Sequence, residues 1–249
     1  MAYIIDNSIA VCFVTETWLT SLRNDVTATI RSHGFNIIHT VRASSEKSRG
    51  GGVAIIYNCN LLNFTQVFIK PGPYFEAVSA KFRDSHGENV FCSCVYRTGA
   101  LSETFFLELD EFLGTIFVKF TNIVICGDLN IHLDDSKSRT TSKFNQLITS
   151  YGLHQYVKEP THRLGHLLDV VISSHKGVDP NSVVTGELDS QVFPKCDHLP
   201  VKFSFSRILP EAANNKKTIT FRNIKDIDHD ELSKDLQEEL SMLVGVARQ

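Results

Sequence analysis

The 249-residue sequence lacks any strong excess of charge, since 25 basic and 28 acidic residues leave a formal net charge of -3. No broadly basic surface exists of the kind that drives sequence-independent nucleic-acid binding. A phosphate-bearing ligand would have to be met by local cations or by a metal. C-x-x-C pairs are lacking as well. The six cysteines, Cys12, Cys59, Cys92, Cys94, Cys126 and Cys196, sit mostly inside apolar runs, which points to buried thiols in a reducing compartment and away from a disulfide or zinc framework. No stretch approaches the roughly 20 apolar residues of a membrane span, and no N-terminal segment joins a basic region to a long apolar core. Internal repeats and long low-complexity tracts are missing too. The absences lead to the expectation of a soluble intracellular protein, nuclear or cytoplasmic, with no membrane partner.

What is present fits one globular domain with a sizeable core: 42% of residues are hydrophobic and 21% charged. Val11 to Thr15 ("VCFVT") reads as a buried strand, followed by the polar Glu16 and by a helix over Thr20 to His33 that Gly34 closes. Strand, polar residue, helix is an α/β signature. Arg49 and three glycines lead into "VAIIYN", and β-rich runs follow at Asn63 to Lys70, Phe75 to Phe82 and Asn89 to Tyr96, together suggesting an antiparallel meander. Helical spacing covers Leu101 to Phe120 and Arg139 to Tyr151. Strands are expected at Asn122 to Cys126, Leu167 to Ser174 and Leu199 to Phe205. The domain is expected to span residues 1–206. Residues 207–249 read as a linker over Arg207 to about Lys217 and an amphipathic helix over Asp230 to Leu243.

The stretch "VICGDLN" is an apolar strand that ends on Gly127, Asp128 and Asn130. In an extended chain, residues at i and i+2 project to one side, so Asp128 and Asn130 would point together beyond the strand's carboxyl end. The same residues are also turn chemistry, because Gly accepts positive φ while Asp and Asn bond nearby backbone. Other polar residues stand where loops meet strand ends: Glu16, Tyr96, Asp169 and the pair Asp197-His198. In α/β sheets that edge is where sites are assembled. His162 and His166 are four apart, but they flank Gly165 and precede a strand, so a helical zinc pair is not expected there.

These residues carry a resemblance to the endonuclease/exonuclease/phosphatase superfamily. The matching stretches are "TETWL" with Glu16, "RGGGVAIIYN", "VYR" with Tyr96, "GDLNIH" with Asp128 and Asn130, "PTHRLGHLLDVVIS" with Asp169, and "CDHLPV" with Asp197 and His198, in the order of the family. The wording "ETWL", "RGGG" and "PTHR.GH.LD" is similar to the endonuclease domains of non-LTR (LINE-type) retrotransposons. The resemblance implies an α/β fold, a four-layer sandwich of two mixed β-sheets flanked by helices. It also implies a DNA-nicking endonuclease that hydrolyses phosphodiesters with Mg²⁺, or Mn²⁺, held by Glu16 and Asp197. Asp128 would orient and deprotonate the attacking water, and Asn130 would bind a phosphoryl oxygen. His198, oriented by Asp169, would contact the scissile phosphate, and Tyr96 would donate to the phosphate or the leaving oxygen. DNA is the expected partner, with RNA of the parent element as a further one.

Two departures from the pattern shape the alternatives. Only about ten residues precede "VCFVT", and "AYIIDNSIA" reads as a helix-to-strand lead-in, so the first strand of the family is expected to be absent. Cys196 stands where the family has serine. A weaker donor there would give the site less support. The tail "TITFRNIKDIDHDELSKDLQ" resembles the connector toward a reverse transcriptase, which suggests a piece of a longer polyprotein. The competing readings are a catalytically impaired remnant that at most binds, and a phosphatase of the same superfamily.

Overall fold

The computed structural model describes residues 1–19, 24–40, 50–97, 101–174, 177–187 and 196–205. All of them belong to one compact unit, Met1–Glu211. The expected C-terminal linker and helix, together with Arg49 and the first residues of the Thr20 helix, lie outside the described residues.

Four layers follow from the alternation of side chains along the strands. The largest sheet has six strands: β4 (Thr65–Val67), β5 (Phe75–Arg83), β6 (Asn89–Arg97), β7 (Asn122–Asp128), β8 (His154–Gln155) and β9 (Asp169–Ser173), in the order β4-β5-β6-β7-β9-β8. Among the described residues only β6 and β7 pair in parallel. Parallel neighbours require a crossover, which α3 (Glu103–Phe117) supplies, begun by the Ser102 hydroxyl accepting the N–H of Phe105. Ile123 and Ile125 of β7 face α3 and α4 (Arg139–Ser150), packing with Phe105, Phe112, Ile116 and Phe144. Val124 and Cys126 face the opposite way, onto Val53, Ile55 and Tyr57.

Those last residues belong to a three-stranded antiparallel sheet of β1 (Val11–Val14), β2 (Phe35–Thr40) and β3 (Val53–Asn58), in the order β1-β3-β2. Its outer face carries α1 (Ala2–Asp6) and α2 (Asn24–Ser32), with Ile4 and Ile30 packed on Phe35, Ile37, Ala54 and Ile56. The layers therefore run helix, sheet, sheet, helix, as the resemblance implies. A short antiparallel pair, β10 (Val184–Thr185) and β11 (Val201–Lys202), stands beside them.

Three local expectations change. Phe35–Thr40 is a strand that the sequence reading passes over, and β3 leaves the meander to pair with it and with β1. The Asn63 to Lys70 run narrows to Thr65–Val67, with Phe68 86% exposed. The Leu199 to Phe205 alternation is real, since Val201, Phe203 and Phe205 pack on the inter-sheet core, but pairing needs a neighbour and β10 reaches only two residues. Among the described residues β1 has β3 as its one strand neighbour. On its other side an apolar cavity of about 680 Å³ opens between β1, the Leu199–Phe205 segment and the inner face of the large sheet.

Candidate active site

At one edge of the large sheet four polar residues stand in a row across four neighbouring strands. Glu76 pairs with Tyr96, Tyr96 with Asp128, and Asp128 with Asp169. Directly paired residues share a face, and the spacing from Val78, Cys94, Cys126 and Val171 puts the row on the inter-sheet side. The strands β6 and β7 end here, whereas β5 and β9 begin here.

Asp128 is buried, at 5% exposure. Its Oδ1 accepts the backbone N–H of Asn130 at 2.7 Å and its Oδ2 accepts the Asn130 side-chain amide at 3.1 Å. Asn130 has a φ of 51° and lies beyond the strand end. Both readings of "GDLN" thus hold: the Asp-Asn turn forms, and it places the two side chains together. Gly127 is required by sterics, because its φ is 140° and a Cβ there would meet the Val95 carbonyl oxygen of β6 at 1.9 Å. Arg97 clamps the turn, donating from Nε to the Leu129 carbonyl and from Nη2 to the Asn130 carbonyl at 2.7 Å.

His198 joins the two aspartates. Its Nδ1 lies 2.8 Å from Oδ2 of Asp169, and its Nε2 lies 3.9 Å from Oδ2 of Asp128. The buried Thr161 sets the height of Asp169, its hydroxyl accepting the N–H groups of Leu168 and Asp169 at 3.1 and 3.0 Å. Leu199 donates its N–H to the Thr161 carbonyl at 2.7 Å, which holds the His198 segment alongside. Asp197 lies outside the row of paired strand residues, but its carboxylate stays within 4.8 Å of ring nitrogens of both His198 and His162. It is exposed, and its carboxylate lies 3.2 Å from Nε2 of His162. The Cys196 thiol donates to the His198 carbonyl at 3.4 Å.

Glu16 reaches the row through Tyr96, whose hydroxyl donates to its carboxylate. Its loop is tied to the glycine run, with Thr17 and Trp18 donating to the carbonyls of Gly52 and Gly51. Gly52 in turn donates to Glu76 at 2.6 Å. A side chain at Gly52, with φ of 85°, would strike the Thr17 hydroxyl. The structure therefore brings Asp128, Asn130, Asp169, His198 and Tyr96 together and attaches Glu16 to Tyr96. Among the described residues, Glu16 shares no cluster of three potential metal-binding side chains with Asp197.

Glu76, Arg97 and Thr161 carry no role in the sequence reading. Looking for polar residues just after strand-like runs finds Tyr96 and Asp128 but passes over Glu76, which lies near the start of its strand. Antiparallel pairing brings that start to the same edge. A lone carboxylate in the apolar run "YFEAVSA" is the signal that was there to use.

The environment tunes the charges. Burial, with the Asp169 carboxylate adding to it, raises the Asp128 pKa from 3.8 to about 6 against the opposing pull of the Asn130 N–H, His198 and Arg97. The hydrogen bond to Asp169 raises the His198 pKa from 6.5 to about 9, with the charges of Asp169, Asp128 and Asp197 assisting and burial opposing. The neighbouring thiols Cys92, Cys94 and Cys126 are pushed well up by burial and stay protonated.

A two-sheet sandwich with paired carboxylates and a histidine at one sheet edge defines the class of the deoxyribonuclease-like hydrolases. The chain belongs to the Endonuclease/Exonuclease/phosphatase family, whose pattern matches residues 2–191. Solved structures show the same fold. The 3′ phosphatase NExo from Neisseria, bound to a product DNA hairpin, superposes with a TM-score of 0.60 at 17% identity, covering 81% of this chain and 91% of its own. The endonuclease domain of TRAS1, a telomere-specific non-LTR retrotransposon, gives 0.58 at 13% identity over 82% and 88%. TDP2 from D. rerio, complexed with a single-strand DNA product, gives 0.56 at 11% identity over 82% and 88%. No curated protein matches the chain by sequence.

Proposed function

We propose that this protein hydrolyses DNA phosphodiesters with a divalent metal, as a nicking endonuclease of the non-LTR retrotransposon type. The observation that carries this reading is His198 bridging two in-register aspartates, one of them buried, at the mouth of the sheet edge. The donor set fits a hard ion, because carboxylate oxygens dominate the edge and such ions take oxygen ligands. Glu16 and Asp197 are the residues proposed to hold Mg²⁺, or Mn²⁺, which when bound would neutralise charge growing on the phosphoryl oxygens.

The chain's own groups supply the rest. Asp128, with a pKa of about 6, is ionised near neutral pH yet basic enough to take a proton from water. His198, still protonated there, directs Nε2 to the same space and can donate to a phosphoryl oxygen, while Asp169 holds its other nitrogen. Asn130 gives one amide hydrogen to Asp128 and has a second for the phosphate. Tyr96 gives its hydroxyl hydrogen to Glu16, and it turns to the leaving oxygen once Glu16 takes another partner.

A phosphatase acting at DNA 3′ ends is the second reading, favoured by the likeness to NExo. One experiment separates them: purified protein is given supercoiled plasmid and a 3′-phosphorylated hairpin, each with Mg²⁺, with excess EDTA, and with Asp128→Ala in parallel. Metal-dependent open circles lost in the variant support the endonuclease. Release of phosphate without nicking supports the phosphatase. A folded protein that does neither is a catalytically silent remnant.

A further inference from the structure

We propose that His132, Asp134 and His166 form a second metal site, for a borderline divalent ion of the Zn²⁺ type, separate from the oxygen-rich edge. Beyond β7 the chain continues with Leu129 and Ile131 buried, each 1% exposed, so that His132 and Asp134 are turned outward. The facing segment is a tight turn in which the N–H groups of Thr161 and His162 both donate to the His166 carbonyl, with Gly165 at φ of 86°. The two segments are stitched by Leu133 donating to the Leu167 carbonyl at 3.0 Å. His166 thereby arrives opposite Asp134.

The three side chains converge on one point. Nδ1 of His166 lies 3.3 Å from Oδ2 of Asp134, and Nδ1 of His132 lies 4.0 Å from Oδ1. The imidazoles meet edge to face, with centroids 4.4 Å apart and planes at 82°. Each residue offers one ligand atom, and the three lie within 4.8 Å of one another. Bonds of about 2.0–2.2 Å to a tetrahedral ion set neighbouring ligand atoms about 3.3–3.6 Å apart, so only small movements close the site. Asp134 is already held in place, its Oδ1 accepting the Leu167 N–H at 2.9 Å. An oriented carboxylate is what a metal ligand needs.

Two imidazoles and one carboxylate select a Zn²⁺-like ion over Mg²⁺, which prefers oxygen throughout. The outward position of the cluster leaves the fourth place to water. His162, the other half of the pair set aside from sequence, is not a partner here: its ring stacks on His166 at 6.2 Å and bonds Asp197 instead. The ion would cross-link the segment after Asp128 to the turn before Asp169, fastening two elements that frame the catalytic edge.

The test is titration of the full chain with Co²⁺ alone, followed by the visible absorption of a tetrahedral centre, and with Zn²⁺ alone, followed by the shift in unfolding temperature. The comparison is made with His132→Ala, His166→Ala and Asp128→Ala, each shown to be folded by circular dichroism. One ion is expected to bind the wild type and Asp128→Ala equally, with affinity lower by at least about 100-fold in either histidine variant. His132→Gln, at an exposed position, replaces any histidine variant that does not fold. The proposal is overturned if the folded wild type shows no tetrahedral band. It is equally overturned if the histidine variants bind as the wild type does, which would leave the cluster a hydrogen-bonded strap. Loss of the band in Asp128→Ala alone would place the ion at the catalytic edge and overturn it too. None of these readouts depends on nuclease activity.

Discussion

Asp128 and Asp169 face each other directly across the antiparallel β7–β9 ladder, and the imidazole of His198 lies against both. Two carboxylates so placed cannot both be ionised comfortably in a buried setting, and the histidine absorbs the tension by staying charged. The pH behaviour of the protein follows from this triangle.

Activity should rise as pH increases through about 6, where Asp128 loses its proton, and fall beyond about 9, where His198 loses its own. The check is kcat/KM against pH with plasmid or hairpin substrate. A single limb near pH 4 would remove Asp128 from the role of base. For stability both pKa values are raised on folding, so both groups favour the folded state at the acidic end. The Asp128 contribution is lost as pH climbs from 3.8 through about 6, and that of His198 from 6.5 through about 9.

Asp169→Asn should leave the sheet intact while removing the charge that holds His198. The His198 pKa should fall from about 9 toward 6.5, moving the alkaline limb of the profile down. Turnover at neutral pH should drop by roughly 10²–10⁴-fold, as for the loss of an oriented acid or base. NMR titration of the imidazole separates this positioning role from a merely structural one, since an unmoved pKa would rule it out.

Gly127→Ala should unfold the site edge before any chemistry is tested. A Cβ would stand 1.9 Å from the Val95 carbonyl oxygen in a backbone conformation of φ 140°, and neither strand can retreat from a shared ladder. We expect a loss of about 3 kcal/mol or more, seen as a fall of roughly 6–12 °C in Tm. A thermal shift under 2 °C, by contrast, would mean that β6 yields easily, roughly the size of a surface change.

Glu76→Gln should weaken metal binding without touching the proposed ligands. Glu76 accepts the Gly52 N–H, and the glycine run holds Thr17 and Trp18, the two residues that follow Glu16. A neutral amide is a poorer acceptor than a carboxylate. The Mg²⁺ concentration for half-maximal activity should rise while the fold persists. Unchanged Mg²⁺ dependence would reduce Glu76 to a strand residue.

Much of this protein was legible before any coordinates. The apolar runs in "NIVICGD" and "VFCSCVY" mark strands and the spacing in "LSETFFLELDEFLGTIF" marks a helix, and which side chains share a face then follows from local geometry alone. The polar stops at Glu16, Tyr96, Asp128 and Asp169 mark the strand edge for the same reason. Tertiary structure alone decided which strands are neighbours. The parallel partnership of β6 with β7 and the placing of β9 beside β7 put Tyr96, Asp128 and Asp169 in one row, although 32 and 41 residues separate them along the chain. It also brought in Glu76, Arg97 and Thr161, and gathered His132 and Asp134 with His166. Sequence periodicity carries no information on long-range pairing, and a pKa near 6 for Asp128 arises only when burial and a facing carboxylate act together.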